Sequence, residues 1–231
     1  DQQVKVLLDG QGADETLAGY SKYLPYYWQE LWRENRPLYR RERFMAEEAG
    51  LQVQWTWKNK LAAQWPVLAT STAEKLRIRE QQRMPGLDPD FVRAFGKSYY
   101  RLPVTNRLNN ILYYNSFVNG LEELLRLADR NAMASGVEVR LPFLSHELVS
   151  FVFSLPAQMK IRDAMGKWIL RRSMEPLLPA TLLWHTNKIG FEPPQQSWMQ
   201  SDQVGEMIRH SKKVLVSAGI LDKTVLQEKI R

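Results

Sequence analysis

The run Val4-Lys5-Val6-Leu7-Leu8, leading straight into Asp9-Gly10-Gln11-Gly12, constrains this chain more than any other stretch. A short apolar run broken only by one lysine reads as a buried parallel strand, because the two faces of such a strand are both covered. The glycines that follow let the backbone turn and approach a ligand closely. Helix formers continue from Ala13 to Ala18, so the local order is strand, loop, helix. A loop of that kind opens on a helix start, which favours anions. Asp14 and Glu15 stand at the same place. Acidic residues there either reach a polyphosphate through Mg2+ or simply complement the helix dipole.

The rest of the chain reads as mostly helical. Pro25 limits or kinks the first helix, and an aromatic stretch from Tyr23 to Trp32 continues it as core or interface packing. Ser71 followed by Glu74 is a capping-box pattern for a helix running to about Met84. Pro85-Gly86-Leu87-Asp88-Pro89 marks a loop. Apolar residues at helical spacing from Thr105 to Leu127 predict two helices, or one broken near Asn119-Gly120. Ser145 is placed to cap a helix through about Phe153. Further helices are expected from Gly166 to Met174 and over the last 30 residues, with breaks at Leu178-Pro179 and Glu192-Pro193-Pro194. No repeat, linker or second composition regime is visible.

With 231 residues and 44% hydrophobic content the chain can build a real core. No apolar run approaches the roughly 20 residues of a membrane-spanning helix. The absence of cysteine excludes disulfides, thiolate metal sites and a cysteine nucleophile within these residues. His146, His185 and His210 are far apart in sequence and read as ordinary surface or half-buried residues. The formal charge of +7 suits nucleic acid, anionic lipid, a phosphate-rich small ligand or ordinary surface composition. The densest basic cluster, Arg33 to Arg43, interleaves Arg33, Arg36, Arg40, Arg41 and Arg43 with Glu34 and Glu42, as a solvated helix face does. A start at Asp1 without Met, one step before a buried-looking strand, reads as part of a longer protein.

Three ordered blocks carry a resemblance. The first is Val6-Leu7-Leu8-Asp9-Gly10-Gln11-Gly12-Ala13-Asp14-Glu15 followed by Ala18-Gly19-Tyr20. The second is Asp129-Arg130, Met133-Ala134 and Val137-Glu138-Val139-Arg140-Leu141-Pro142-Phe143-Leu144. The third comprises Leu155-Pro156, Lys160, Gly166-Lys167, Leu170-Arg171, Leu178-Pro179, and Lys188 before Gly190-Phe191. Together they resemble the C-terminal part of the synthetase domain of glutamine-hydrolysing asparagine synthetases, from Val4 to about Trp198. The regions from about Arg36 to Arg101 and after Trp198 add little to the likeness.

The resemblance implies a mostly α-helical fragment of an α/β ATP-pyrophosphatase domain, with residues 1–231 as its C-terminal portion. It implies a cytoplasmic ligase that uses ATP and Mg2+ to turn aspartate into β-aspartyl-AMP. Ammonia released from glutamine by an N-terminal glutaminase domain then gives asparagine, AMP and pyrophosphate. By position, Asp9, Gly10 and Gly12 would contact ATP and Asp14 would hold Mg2+. Gln11 would sit where the intermediate forms, and Lys188 would place a cation on the phosphate oxygens. Glu138 matches a position that β-lactam-forming relatives use in a catalytic dyad with Tyr; a structural ion pair with Arg140 is the other reading. Lys167 reads equally as a surface or a phosphate-facing lysine.

The chain departs from the family at several points. Some members carry Glu at the position of Gln11, where a carboxylate acts as base; a neutral amide positions by hydrogen bonds only. Ser145 stands where Asp is frequent, and both residues cap helices. The Ser-Gly-Gly-x-Asp-Ser type pyrophosphate loop occurs nowhere in these residues, nor does the glutaminase cysteine. On that ground residues 1–231 are expected to be inactive alone. An acyl-adenylate-forming cyclase making a β-lactam or peptide ring is a same-chemistry alternative. A basic helical nucleic-acid-binding module is the alternative from another class.

Overall fold

The computed structural model describes residues 4–82, 85–95, 107–185 and 194–227. Lys188, Gly190, Phe191 and the expected break at Glu192-Pro193 lie outside them. In chain order come strand β1 (Val6–Leu8) and helices α1 (Ala13–Thr16), α2 (Leu24–Glu34), α3 (Arg36–Glu48), α4 (Trp57–Gln64), α5 (Pro66–Gln82) and α6 (Pro89–Phe95). Helices α7 (Leu108–Phe117) and α8 (Leu121–Ala134) follow, then strand β2 (Glu138–Arg140) and α9 (His146–Ser154). The chain continues through α10 (Ala157–Lys160), α11 (Trp168–Met174), α12 (Ala180–Leu183), α13 (Gln195–Met199) and α14 (Asp202–Ser217). Two compact units contain these elements: residues 1–71 with 102–186, and residues 72–101 with 187–231.

In the first unit β1 and β2 pair in parallel, with Val6 opposite Glu138, Leu7 opposite Val139 and Leu8 opposite Arg140. The amide of Asp9 extends the ladder by donating to the Arg140 carbonyl at 2.9 Å. The strand expected at Val4 to Leu8 is therefore present, shortened to three residues, but it is not buried. Val6, Leu7 and Leu8 are 39%, 48% and 75% exposed. An apolar run reports what a strand would bury, not what covers it. Among the described residues β1 is paired along one edge only.

The core of this unit sits on α2. Tyr23, Tyr27, Trp28 and Leu31 are essentially inaccessible and pack with Leu108, Ile111 and Leu112 of α7. Trp28 meets Trp55 edge-on at 5.7 Å, and Trp32 meets Tyr39 in the same way at 5.1 Å. Such pairs add about 0.5–1.5 kcal/mol beyond their area. The aromatic stretch is core, and Pro25 occupies the first turn of α2, where its missing N–H costs nothing.

The basic cluster is only partly the solvated face that its composition predicts. Arg36 stacks on Trp32 with its guanidinium carbon 3.3 Å from the ring centre, and Arg43 covers Trp28 at 4.7 Å. Glu42 turns inward and is fully buried. Its carboxylate accepts the backbone N–H groups of Asp163 (3.0 Å) and Ala164 (2.9 Å), two residues with φ of 50° and 61°. Burial raises the pKa of Glu42, and those two N–H donors oppose the shift. Lys160, also fully buried, donates to Asn109 Oδ1 at 2.6 Å, while the Asn109 amide donates to the carbonyls of Phe153 and Leu155.

Local signals succeed where they are complete. Ser145 caps α9 by accepting from the Leu148 amide, and α7 and α8 are separated at Val118–Gly120. The Ser71–Glu74 pattern fails as a helix start. Helix α5 begins at Pro66, so Ser71 lies inside it. In the second unit Leu87 bridges Leu221, the Asp222 backbone amide donates to the Gly86 carbonyl at 2.9 Å, and the expected C-terminal helix is α14 followed by a 3-10 turn at Lys223–Leu226.

Candidate functional site

The end of β1 opens into a cleft of about 290 Å³, walled by Asp9, Gly10, Gln11, Gly12, Asp14, Glu15 and Tyr20 and flanked by Leu121 and Leu124 of α8. Its position follows from the ladder. Once β1 is pinned to β2 through Leu8 and Asp9, the next residues leave the sheet at its carboxyl end, where open α/β sheets bind ligands. The Asp9 carboxylate accepts the Gln11 amide at 3.1 Å, closing a short turn of the kind Asp favours. Gly12 has φ of 89°, and a β-carbon there would strike Leu144. Both features call for glycine. The Gly12 carbonyl then accepts the Thr16 hydroxyl at 2.7 Å, holding the first turn of α1.

The walls differ in chemistry. Glu15 is buried and accepts the Tyr20 hydroxyl at 3.0 Å. Burial first, and the Glu15 charge next, push the Tyr20 pKa upward, so this phenol stays a donor. The side-chain carbonyl oxygen of Gln11 is buried with no hydrogen-bond partner. A buried unsatisfied acceptor costs on the order of 1–3 kcal/mol, which a donor arriving in the cleft would recover.

Asp14 Oδ1 stands 2.9 Å from Lys167 Nζ, both side chains about a quarter exposed. The lysine is delivered by an unusual backbone. Lys167 has φ of 56° and donates its amide to the Leu17 carbonyl at 2.9 Å. Gly166 lies so close to the Ala18 carbonyl that a β-carbon would overlap it, and Gly19 lies equally close to the Asp14 carboxylate. Arg171 ties this corner together by donating to the Gly166 carbonyl at 3.0 Å and to the carbonyls of Leu183 and His185.

The residues singled out from sequence are thus partly assembled. Asp9, Gly10, Gln11, Gly12 and Asp14 share one cleft. Glu138 does not line it; its carboxylate lies 2.8 Å from Arg140 Nε on the exposed face of β2. Lys188 is not among the described residues. Tyr20 enters the cleft wall although the sequence marks it only as part of the first motif block; Glu15 and Lys167, which the sequence leaves open to a structural or a phosphate-site reading, are here paired with Tyr20 and with Asp14. The oxygen donors of Asp9, Asp14 and Gln11 suit a hard cation. Among the described residues no three acidic or histidine side chains group closely enough to hold a metal alone. A cation here would have to arrive largely ligated by its polyphosphate, as Mg2+ commonly does. Among the described residues no helix is long and apolar enough to cross a membrane.

A family model described as asparagine synthase matches residues 1–231. A Mycobacterium bovis protein provisionally named a glutamine-hydrolysing asparagine synthetase is 27% identical over 89% of this chain and 32% of its own length. The Bacillus subtilis protein named glutamine-hydrolysing asparagine synthetase 3 is 25% identical over 78% of this chain and 25% of its own. The Gallus gallus glutamine-hydrolysing asparagine synthetase is 39% identical over 34% of this chain and 15% of its own. The chain therefore spans about a third or less of the length of these relatives. No solved structure gives a significant match.

Proposed function

The chain belongs to the asparagine synthase family, and from that premise we propose that its β1-end cleft forms part of an ATP-dependent amide-forming site in a longer cytoplasmic enzyme. The observation that carries the reading is the gathering of Asp9, Gly10, Gln11, Gly12 and Asp14 around one cleft at the carboxyl end of a parallel strand. The domain is proposed to be of the ATP-pyrophosphatase type, with the pyrophosphate loop and a glutaminase domain supplied by other parts of the parent protein.

In the proposed reaction an oxygen of the aspartate side-chain carboxylate attacks the α-phosphorus of ATP. The bond from that phosphorus to the bridging oxygen breaks and pyrophosphate leaves, giving β-aspartyl-AMP. Ammonia from glutamine then attacks the acyl carbon, the bond to AMP oxygen breaks, and the nitrogen loses a proton to give asparagine. Mg2+, when bound, would spread the negative charge of the polyphosphate.

Each residue's proposed part follows from its chemistry. Asp9 and Gly10 border the nucleotide, with open space over the Gly10 α-carbon. Gly12 keeps the loop flat against Leu144. Asp14 would offer its carboxylate to the cation, which would supply positive charge beside the polyphosphate. Gln11, being neutral, takes no proton; its buried carbonyl accepts a hydrogen bond from substrate and fixes its orientation. Lys188 is proposed to meet the charge that grows on the departing pyrophosphate. For Glu138, held by Arg140, a part in the dyad chemistry of cyclising relatives would require that ion pair to open.

The test is product analysis with the full-length parent protein. Aspartate-dependent release of AMP and pyrophosphate from ATP is the expected result. Release of ADP and phosphate, or no dependence on aspartate, would overturn the reading. Residues 1–231 alone are expected to release no pyrophosphate, since none of them forms the Ser-Gly-Gly-x-Asp-Ser type loop.

A further inference from the structure

We infer that Tyr20 binds the ammonium group of the amino-acid substrate, and that the buried Glu15 is a positioning residue acting through it. Glu15 holds the phenol proton inward, so that Tyr20 meets the ligand as a hydrogen-bond acceptor. The inference deepens the amide-forming reading of the cleft and rests on it.

Tyr20 donates its hydroxyl to Glu15 Oε1 at 3.0 Å, and Glu15 is only 7% exposed. A phenol owns a single proton, and a carboxylate facing it accepts that proton's hydrogen bond. With the proton committed, the Tyr20 oxygen offers acceptance to the cleft that it lines. Turning the hydroxyl outward would strip a buried carboxylate oxygen of its donor, which costs free energy. The backbone around the ring is held as well. The Gly19 amide donates to the Asp14 carbonyl at 2.8 Å, and the Tyr20 carbonyl accepts the Tyr23 amide at 3.0 Å. The Lys22 ammonium lies 4.8 Å from the centre of the Tyr20 ring.

The neighbours of Tyr20 in the cleft share its character. The buried side-chain carbonyl oxygen of Gln11 has no hydrogen-bond partner. The described lining residues include Asp9, Asp14 and Glu15 but neither lysine nor arginine, and Lys167 reaches Asp14 from outside that lining. A phosphate or carboxylate group placed against Tyr20 and Gln11 would set acceptor against acceptor. An ammonium group brings several N–H donors and a charge of the complementary sign. A ribose hydroxyl donates but carries no charge. The amino-acid substrate, and not the nucleotide, is therefore the ligand that suits the Tyr20 oxygen.

Thermal melts of the full-length parent with a non-hydrolysable ATP analogue read this through titrations of aspartate and of succinate, which is aspartate without its amino group. Wild type is expected to bind aspartate roughly tenfold or more tighter than succinate, as a hydrogen bond to a charged group allows. Tyr20→Phe should weaken aspartate by about that factor and leave succinate and the ATP analogue unchanged. Glu15→Gln should fall between, because an amide can itself donate and lets the phenol proton turn toward the cleft. In Tyr20→Phe/Glu15→Gln the loss should be no greater than in Tyr20→Phe, as a residue acting through Tyr20 requires. If Glu15→Gln folds poorly, the aspartate-to-succinate ratio of Tyr20→Phe alone decides. A Tyr20→Phe form with the wild-type ratio, a wild type with no preference for aspartate, a weakening confined to the ATP analogue, or additive losses would overturn the inference. The pyrophosphate assay is separate. A parent without aspartate-dependent pyrophosphate release that still prefers aspartate through Tyr20 keeps the ammonium site and loses the proposed reaction. A turnover-competent parent whose Tyr20→Phe form keeps the wild-type preference does the reverse.

Discussion

Gly19 lies beneath the Asp14 carboxylate so closely that a β-carbon at position 19 would occupy the space of Oδ1. The same β-carbon would also crowd the Lys167 stem, so one missing methyl group sets the geometry of the ion pair. Gly19→Ala is expected to displace Asp14 and destabilise by about 1–3 kcal/mol, the usual cost of overpacking. Gly166→Ala should be worse, because its obstacle is the Ala18 backbone carbonyl, which has no rotamer to change. Chemical denaturation of both variants checks the order; equal stabilities would show that the two loops slide freely.

Part of this site was legible in the sequence, and part was not, for physical reasons. The strand-to-loop signal at Leu8–Gly12 is local, so residue order alone places Asp9, Gln11 and Asp14 near one another. The Lys167–Asp14 pair is not local. It depends on a left-handed residue and on two backbones in contact, neither of which leaves a periodic pattern. Glu42 shows the same limit, since a basic cluster with interleaved acids reads as surface whether or not one acid turns inward. The Ser71 pattern misleads because a capping box has the same residue spacing inside a helix as at its start. Pro66 was the better start signal.

The Glu42 carboxylate staples the left-handed turn at Asp163–Ala164. Glu42→Ala leaves two backbone donors without their acceptor, each worth about 1–3 kcal/mol when buried. The expected loss is roughly 2–4 kcal/mol, read as a fall of about 4–16 °C in melting temperature. A change within about 1 °C would mean that the turn finds other partners.

Lys160 supplies a pH test. Burial lowers its pKa to about 8, with Glu30 opposing the shift. In the unfolded chain a lysine titrates near 10.4. Between these values the unfolded state holds a proton that the folded state has lost, so this group adds stability as pH rises from about 8 toward 10. Below pH 8 the cost of burying the charge is fully present. The melting-temperature difference, wild type minus Lys160→Met, should therefore increase from pH 7.5 to 9.5. Tyrosines titrate alike in both proteins and cancel. A flat or falling difference would refute the assignment.

In the full-length parent, Lys188→Ala is expected to lower the pyrophosphate-releasing rate by roughly 10²-fold or more while changing substrate binding much less. That split belongs to a group whose charge matters most in the transition state. Single-turnover kinetics separates it from a packing role, which would lower the melting temperature and leave the rate of the surviving protein normal.

The central claim is that the cleft at the end of β1 handles the polyphosphate and its cation through Asp14. Its most direct test is pyrophosphate release by the full-length parent across a Mg2+ titration, wild type against Asp14→Asn, with melts to show that both are folded. The account predicts a half-saturating Mg2+ concentration raised by about tenfold or more, at least what losing an outer contact to a metal site costs. A folded Asp14→Asn enzyme with the wild-type Mg2+ midpoint and the wild-type rate would contradict it.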